Sequence, residues 1–260
     1  MTPRALILTY HAIAAGPPPL FVEPTLLARQ LDCIIDSGAN VLTVSELAST
    51  LRAGTLPPRA VVLTFDDAFA SVADAAAPLL AERGLHATLF CVSGHLGGLS
   101  NWPSQPLSAP RLPLADAAAL SELAAAGWEI GSHGVSHEPL ARLSADARRR
   151  ELLESREVLE QALGVAVHSF AFPYGAVPAG SRDSLREAGY DAACTTRIAS
   201  VSVVADPLAL PRVDAHYLRR PAILEAVLVG TALGYLGTRR IAARARRLVV
   251  RDYESTETTR

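Results

Sequence analysis

AVVLTFDDA, residues 60–68, stays apolar for the length of one strand and then sets two carboxylates, Asp66 and Asp67, side by side. A short continuous apolar run of this kind fits a strand buried on both faces. Charges that are costly in a core are tolerated at a rim that binds a cation, so the run is read as a strand whose C-terminal end opens on a site.

Seven similar runs accompany it: ALILTY, NVLTV, HATLFCV, WEI, VHSFAF, DAACTT and LALPRV. Between many of them lie amphipathic stretches that stop at Gly38, Gly54, Gly84, Gly127, Gly164 and Gly189, each placed to take the left-handed conformation that ends a helix. Pro24, Ser45 and Ser144 are the expected helix starts. The longest helix follows Ser144, with Leu152, Leu153, Val158, Leu159 and Leu163 on its buried face. Strand, helix, glycine, strand repeated about eight times predicts a parallel sheet closed into a barrel. The alternative, an open doubly wound sheet, lacks the glycine-rich phosphate loop that usually follows its first strand.

A chain of 260 residues, half of them hydrophobic, can bury one sizeable core. Its net charge of −2 gives no long-range attraction to nucleic acid. All its basic side chains are arginine, which reads as compositional bias. Cys33, Cys91 and Cys194 are odd in number and lie in apolar segments, which predicts free buried thiols. The apolar stretch near the N-terminus is too short for a secretory signal, so a cytoplasmic location is expected. Gly97–Pro113 reads as a long loop over one end of the barrel. Three regions are expected: a barrel over 1–220, an apolar and basic helical extension over 221–251, and a disordered tail over 252–260. The apolar AILEAVLVGTALGYLG, 222–237, falls short of a membrane span and reads as a final barrel helix. The basic TRRIAARARRLVVR after it reads as a solvated face, with contact to anionic lipid as the alternative.

In a parallel barrel all strand ends converge on one mouth. There the sequence places Tyr10-His11, Asp66-Asp67, Ser132-His133 with Ser136-His137, Pro173-Tyr174, and Arg212 with Asp214 and His216. His133 and His137 are four apart, a spacing that on a helical turn puts both imidazoles on one side. Two histidines and one carboxylate leave an open coordination position, the arrangement of catalytic zinc, where water takes the vacancy with its pKa lowered to about 7. One Asp of the pair can be ligand and the other base, because neighbours on a strand face opposite ways; a helix N-cap is the alternative role for either.

TFDD (64–67), SHGVSH (132–137), FAFPYG (170–175), LPR (210–212) and the opening TYH followed by a helix and VLTVSEL resemble the motifs of the polysaccharide deacetylases, the NodB-like carbohydrate esterases. They come closest to the branch that deacetylates poly-N-acetylglucosamine, and the resemblance runs from about Leu6 to Tyr217. It implies a distorted (β/α) barrel of about seven to eight parallel strands. It also implies a divalent metal on Asp67, His133 and His137, most simply Zn2+ with Co2+, Ni2+ or Mn2+ as alternatives, and Asp66 as general base. The backbone N–H of Tyr174 would help hold the oxyanion, and Pro173, Tyr174 and His11 would contact the substrate. Two departures stand out: Ala68 replaces the usual Gly after the first motif, and Ala171 stands where an Arg often holds the catalytic Asp. Arg212 is the proposed substitute for that Arg. A general acid is also required; His216 resembles the family's late histidine in position, and His11 competes with it. His95 falls in a loop, while His86 and His168 precede strands at the opposite rim.

The expected activity is metal-dependent removal of an N-acetyl group from an amino sugar in a glycan or glycoconjugate, with a lipid-linked or nucleotide-linked sugar as the first substrate to try. The same centre acting on a non-sugar amide or O-acyl ester, and a carbohydrate-binding pseudoenzyme, are the alternatives.

Overall fold

The computed structural model describes residues 3–243 except 107. The chain enters as β1 (Arg4–Tyr10), forms a small parallel ladder from β2 (Ala12–Ile13) and β3 (Phe21–Val22), and continues through α1 (Pro24–Asp36), β4 (Asn40–Leu42), α2 (Val44–Ala53) and β5 (Ala60–Phe65). A π-helical segment, Val72–Ala76, runs into α3 (Ala77–Ala81); β6 (Thr88–Cys91), α4 (Ala117–Ala125), β7 (Glu129–Ser132), α5 (Ala145–Leu163), β8 (Ser169–Ala171), α6 (Ser181–Glu187) and β9 (Ala192–Cys194) follow. β10 (Val201–Ser202), β11 (Val213–Asp214), α7 (Pro221–Leu228) and α8 (Leu233–Ala243) complete the described chain.

The main sheet has the order β10-β1-β5-β6-β7-β8-β9, with β4 also beside β5 and β11 beside β1. Every pairing is parallel except that of β10, so this is a mostly parallel sheet curled into a distorted barrel. All eight expected runs contribute, but LALPRV is not a continuous strand. Leu210 bridges Cys194 on one side, and three residues later Val213 pairs with Leu8 of β1 on the other. Pro211, between Leu210 and Val213, explains the break, since proline offers no N–H to a ladder. The barrel is therefore drawn together at this seam and is not a regular closed cylinder. The two-residue β2, β3 and β10 carry no periodic signal and were invisible in sequence.

β5 is buried along its whole length. Its alternate residues face different cores: Val61, Leu63 and Phe65 pack toward α1, α3 and α4, whereas Ala60 and Val62 join Ile7, Phe90, Ala171, Cys194 and Leu210 inside the barrel, with α2 beneath. The inner row continues upward as Thr64 and then Asp66, which delivers that carboxylate to the mouth.

The local signals explain the elements that set this frame. All six helix-ending glycines have positive φ, from 63° at Gly84 to 89° at Gly127. Pro24 begins α1, and Ser144 caps α5 by accepting from Ala147 N–H. Ser45 is not the start of α2; Thr43 is, in a capping box with Glu46. Ser45 instead donates to Glu129 at 2.5 Å, tying α2 to β7. The three cysteines are free, Cys91 and Cys194 buried and Cys33 half-buried. The expected single C-terminal helix is two, α7 and α8, turned by 111° where Gly230 takes φ 84°. Among the described residues no single helix is long and apolar enough to cross a membrane. Residues 244–260, which hold most of the basic segment and the expected tail, lie outside the described residues.

Candidate active site

Asp66 is buried at the end of the inner row of β5, and Arg212 meets it from the segment before β11. The guanidinium forks both carboxylate oxygens, Nη1 to Oδ1 at 2.6 Å and Nη2 to Oδ2 at 2.7 Å. Arg212 is itself fixed: Nε donates to Thr195 O, Nη1 to Thr64 Oγ1, and its charge lies 5.6 Å over the Phe90 ring. Burial alone would push the Asp66 carboxyl up, but Arg212, His133 and His11 outweigh it and hold the group below the usual carboxylate range. Asp66 is thus an ionised acceptor, buried at the floor of the mouth. The charge that the third motif lacks at Ala171 arrives from a segment distant in sequence.

Asp67 does not follow strand geometry. Its φ is 70° and that of Ala68 is 55°, so the chain reverses immediately after β5 and brings the second carboxylate back to the same mouth. Neither Asp caps a helix. His133 follows β7 directly, and its Nδ1–H donates to Ala171 O at 2.7 Å, which aims Nε2 at Asp67 Oδ1, 3.5 Å away. His137 Nε2 lies 3.1 Å from the same oxygen. The two histidines meet through an irregular loop and not through the helical turn expected from their spacing: His137 has φ 58° and Gly134 φ 82°.

Glu151 of α5 shapes this loop. Its carboxylate accepts from Val135 N–H at 2.7 Å, Ser136 N–H at 3.2 Å and the Ser136 hydroxyl at 2.5 Å. Gly134 has φ 82°, which favours glycine, and a side chain there would meet Glu151 Oε2 at 2.8 Å and displace the carboxylate that holds the loop. Removing the carboxylate with Glu151→Ala is expected to lower metal affinity about 10–100-fold, as loss of an outer support does, with the helical circular dichroism of the protein unchanged. Titration with a competing metal indicator measures it; unchanged affinity would show that the loop holds itself.

These residues fit a divalent cation. Asp67, His133 and His137 are buried, and their ligand atoms all lie within 4.8 Å of one another. Burial holds the His133 imidazole down to about 4 against the pull of Asp66 and Asp67, so it is neutral near pH 7, and with Nδ1 donating, Nε2 presents a lone pair. That lone pair faces Asp67 Oδ1, a buried acceptor that no hydrogen bond of good geometry satisfies among the described residues, with His137 Nε2 3.1 Å away. Two acceptors aimed at each other in a buried site are costly unless a cation lies between them. Burial pushes Asp67 up, but His137, His11 and His133 prevail and hold it well below the usual range.

Around the trio a cleft of about 450 Å3 opens, lined by His11, Trp102, Tyr174, Asp214 and Tyr217 among others. Trp102 comes from the long loop after β6, which folds down over the mouth; its ring stacks on His137 with centroids 4.3 Å apart. Ser104 of the same loop donates to His137 O, and the Tyr174 hydroxyl donates to Ser104 O. Tyr174 sits in the Pro173–Gly175 turn with φ 56°. Among the described residues, four of the five non-glycine residues with positive φ, namely Asp67, Ala68, His137 and Tyr174, belong to this site, where a strained backbone is held by its surroundings.

Two expected roles do not match the geometry. Pro173 is buried in its turn and does not line the cleft, because its ring is what fixes the turn. His216 lies in a 3-10 turn, Ala215–Leu218, that carries it to a neighbouring pocket, while His11 faces the cleft beside Asp214. His86 and His168 pair with Glu46 and Asp191, away from the cleft. Glu151 was missed because a carboxylate mid-helix looks like any solvated residue. In sequence Asp214 stands out only as a neighbour of Arg212 and His216; burial raises its carboxyl above the usual range.

Comparison with known proteins identifies relatives of this arrangement. Residues 53–193 match the polysaccharide deacetylase family model. The Bacillus subtilis protein YxkH, whose name assigns it provisionally to the polysaccharide deacetylases, is 24% identical over 208 residues, 80% of this chain and 70% of its own. The poly-beta-1,6-N-acetyl-D-glucosamine N-deacetylase of Staphylococcus epidermidis is 24% identical over 184 residues, 67% of this chain and 61% of that protein. Among solved structures, the Streptococcus pyogenes deacetylase PplD in complex with acetate superposes with a TM-score of 0.70 at 26% identity, covering 82% of this chain and 93% of that one.

Proposed function

The chain belongs to the polysaccharide deacetylase family, and from that membership we propose that it hydrolyses the N-acetyl group of an amino sugar in a glycan or glycoconjugate. The observation that carries the reading is the buried Asp67, His133 and His137 trio standing beside an Asp66 held by Arg212.

Asp67, His133 and His137 would hold a divalent cation, with zinc the simplest choice for a carboxylate and two imidazoles, and when bound it supplies Lewis-acid polarisation of the acetamide carbonyl and a lowered pKa for water. The protein's residues do the rest. Asp66, ionised and locked in the Arg212 fork, takes a proton as water attacks the carbonyl carbon. The Pro173–Gly175 turn presents the Tyr174 backbone to the developing oxyanion, and one such donor is worth about 10²–10³ in rate. The amine must leave with a proton. His11 gives it: this residue lines the cleft, interacts electrostatically with Asp66 and Asp67, and its Nδ1 is buried with no hydrogen-bond partner among the described residues. The C–N bond then breaks to give acetate and a free amine. Trp102 and Tyr174, packed on His137, form the aromatic wall against which a sugar face can lie.

The test is acetate release from N-acetylglucosamine oligomers and glycolipids by metal-loaded protein. Release that stops on chelation and returns with Zn2+ is the expected result. A metal-loaded protein inactive on every N-acetylated sugar would overturn the reading.

A further inference from the structure

We propose that a second pocket beside the cleft binds a phosphate or diphosphate ester, so that the acetylated sugar this chain acts on carries such a group. This rests on the deacetylase reading and narrows its substrate.

The pocket is a cavity of about 270 Å3 between the turn after β11, the start of α7 and the first half of α8. His216, Arg219, Arg220 and Arg239 line it, together with Tyr217 and Tyr235. It adjoins the catalytic cleft, because Tyr217 and Arg239 line both. Its volume is below the ~300–1,000 Å3 typical of pockets that hold whole ligands, which suits one substituent of a substrate whose sugar lies next door.

The lining is one-signed. Three guanidinium groups and an imidazole surround the space and no carboxylate does, in a chain whose net charge is −2. Among the described residues, none of Arg219, Arg220 and Arg239 has an ion-pair partner. The neighbouring Asp214 lines the cleft instead and accepts the His216 N–H at 2.8 Å, and Glu225 of α7 acts on Cys33 of α1.

Arg239 is prepositioned. Its charge lies 5.2 Å from the Tyr217 ring centre and 5.0 Å from that of Tyr235, and Nε donates to Tyr235 Oη at 2.8 Å. Tyr235 in turn donates to Tyr217 O at 2.8 Å, so the stack is anchored to the turn that carries His216. The two terminal nitrogens keep no protein partner among the described residues. A second feature adds to this one. α7 begins at Pro221 with Arg220 as its N-cap, and no side chain caps its first turn, so the positive end of the helix adjoins the three arginines. Guanidinium forks match phosphate oxygens. A neutral polysaccharide gives none of these charges a role.

A phosphorylated sugar can come as a nucleotide sugar or as a lipid-linked sugar, and the test separates them. Metal-loaded protein is assayed on N-acetylglucosamine oligomers, on a uridine diphosphate N-acetylglucosamine arm and on a short polyisoprenyl-phosphate N-acetylglucosamine arm, each also with Arg219→Gln/Arg220→Gln and with Arg239→Gln. The expected result is a higher kcat/KM on one phosphorylated arm, which identifies the source. Its ratio to the neutral oligomer should fall at least about 10-fold in each variant, the scale of a lost charged hydrogen bond. Calorimetry of N-acetylglucosamine 1-phosphate with Asp66→Asn, in which slowed turnover leaves binding to be read, should show affinity falling by a similar factor when the Arg219 and Arg220 changes are added. Equal turnover of neutral and phosphorylated sugars, or a ratio and an affinity unmoved by the variants, overturns the inference and leaves the deacetylase reading standing. Turnover of no arm overturns both.

Discussion

Asp66→Asn is expected to lower acetate release about 10²–10⁴-fold, the span usual for a lost general base, while the protein still takes up its metal. The two adjacent carboxylates do different work. Asp67 turns out of the strand at φ 70° and reaches His133 and His137, whereas Asp66 stays on the inner row of the barrel and reaches Arg212. An amide at 66 keeps the shape and one acceptor oxygen but cannot take a proton from water. Asp67→Asn should behave differently and lose metal first. Rates measured per bound metal distinguish them: if Asp66→Asn retained full activity at full metal occupancy, the base would have to be another group. The same substitution leaves the Arg212 charge without its carboxylate, so thermal stability should fall alongside activity.

Arg212→Met is expected to destabilise the fold by about 3–5 kcal/mol, the cost of leaving one partner of a buried ion pair alone. Both charges are buried and fully engaged with each other, which is why neither can be removed singly at low cost. Replacing both, with Asp66→Leu and Arg212→Met, should recover most of the loss because the desolvation penalty disappears with the pair. Arg212→Lys should fall between, since an ammonium keeps the charge but cannot reproduce the fork. Urea midpoints of the three variants measure this. A double variant as unstable as Arg212→Met would mean that packing, and not the unpaired charge, carries the effect.

The sequence made the barrel legible for a definite reason. Parallel strands buried on both faces leave uninterrupted apolar runs, and helices that must turn back sharply end at glycines with positive φ, so both kinds of element mark themselves. The seam was not legible in the same way: LALPRV looks like one strand, yet Pro211 divides it between β9 and β1. The site was readable as a set of residue types at strand ends, because convergence at one mouth follows from topology. How those residues are held was not. A four-residue spacing suggested a helical turn for His133 and His137, while the actual loop depends on Gly134 and on the hydrogen bonds that Val135 and Ser136 donate to Glu151, which lies beyond the motif. His216 matched by position in the chain and is carried elsewhere by a single 3-10 turn; His11, at the end of β1, faces the cleft.

The central claim is that Asp67, His133 and His137 share one cation beside Asp66. An anomalous-scattering map from zinc-grown crystals tests it most directly. The account expects a single strong peak about 2.0–2.2 Å from an Asp67 oxygen and from Nε2 of each histidine, with no fourth protein ligand. No peak at this position in fully loaded crystals, or a peak whose remaining coordination is closed by another side chain, would contradict it.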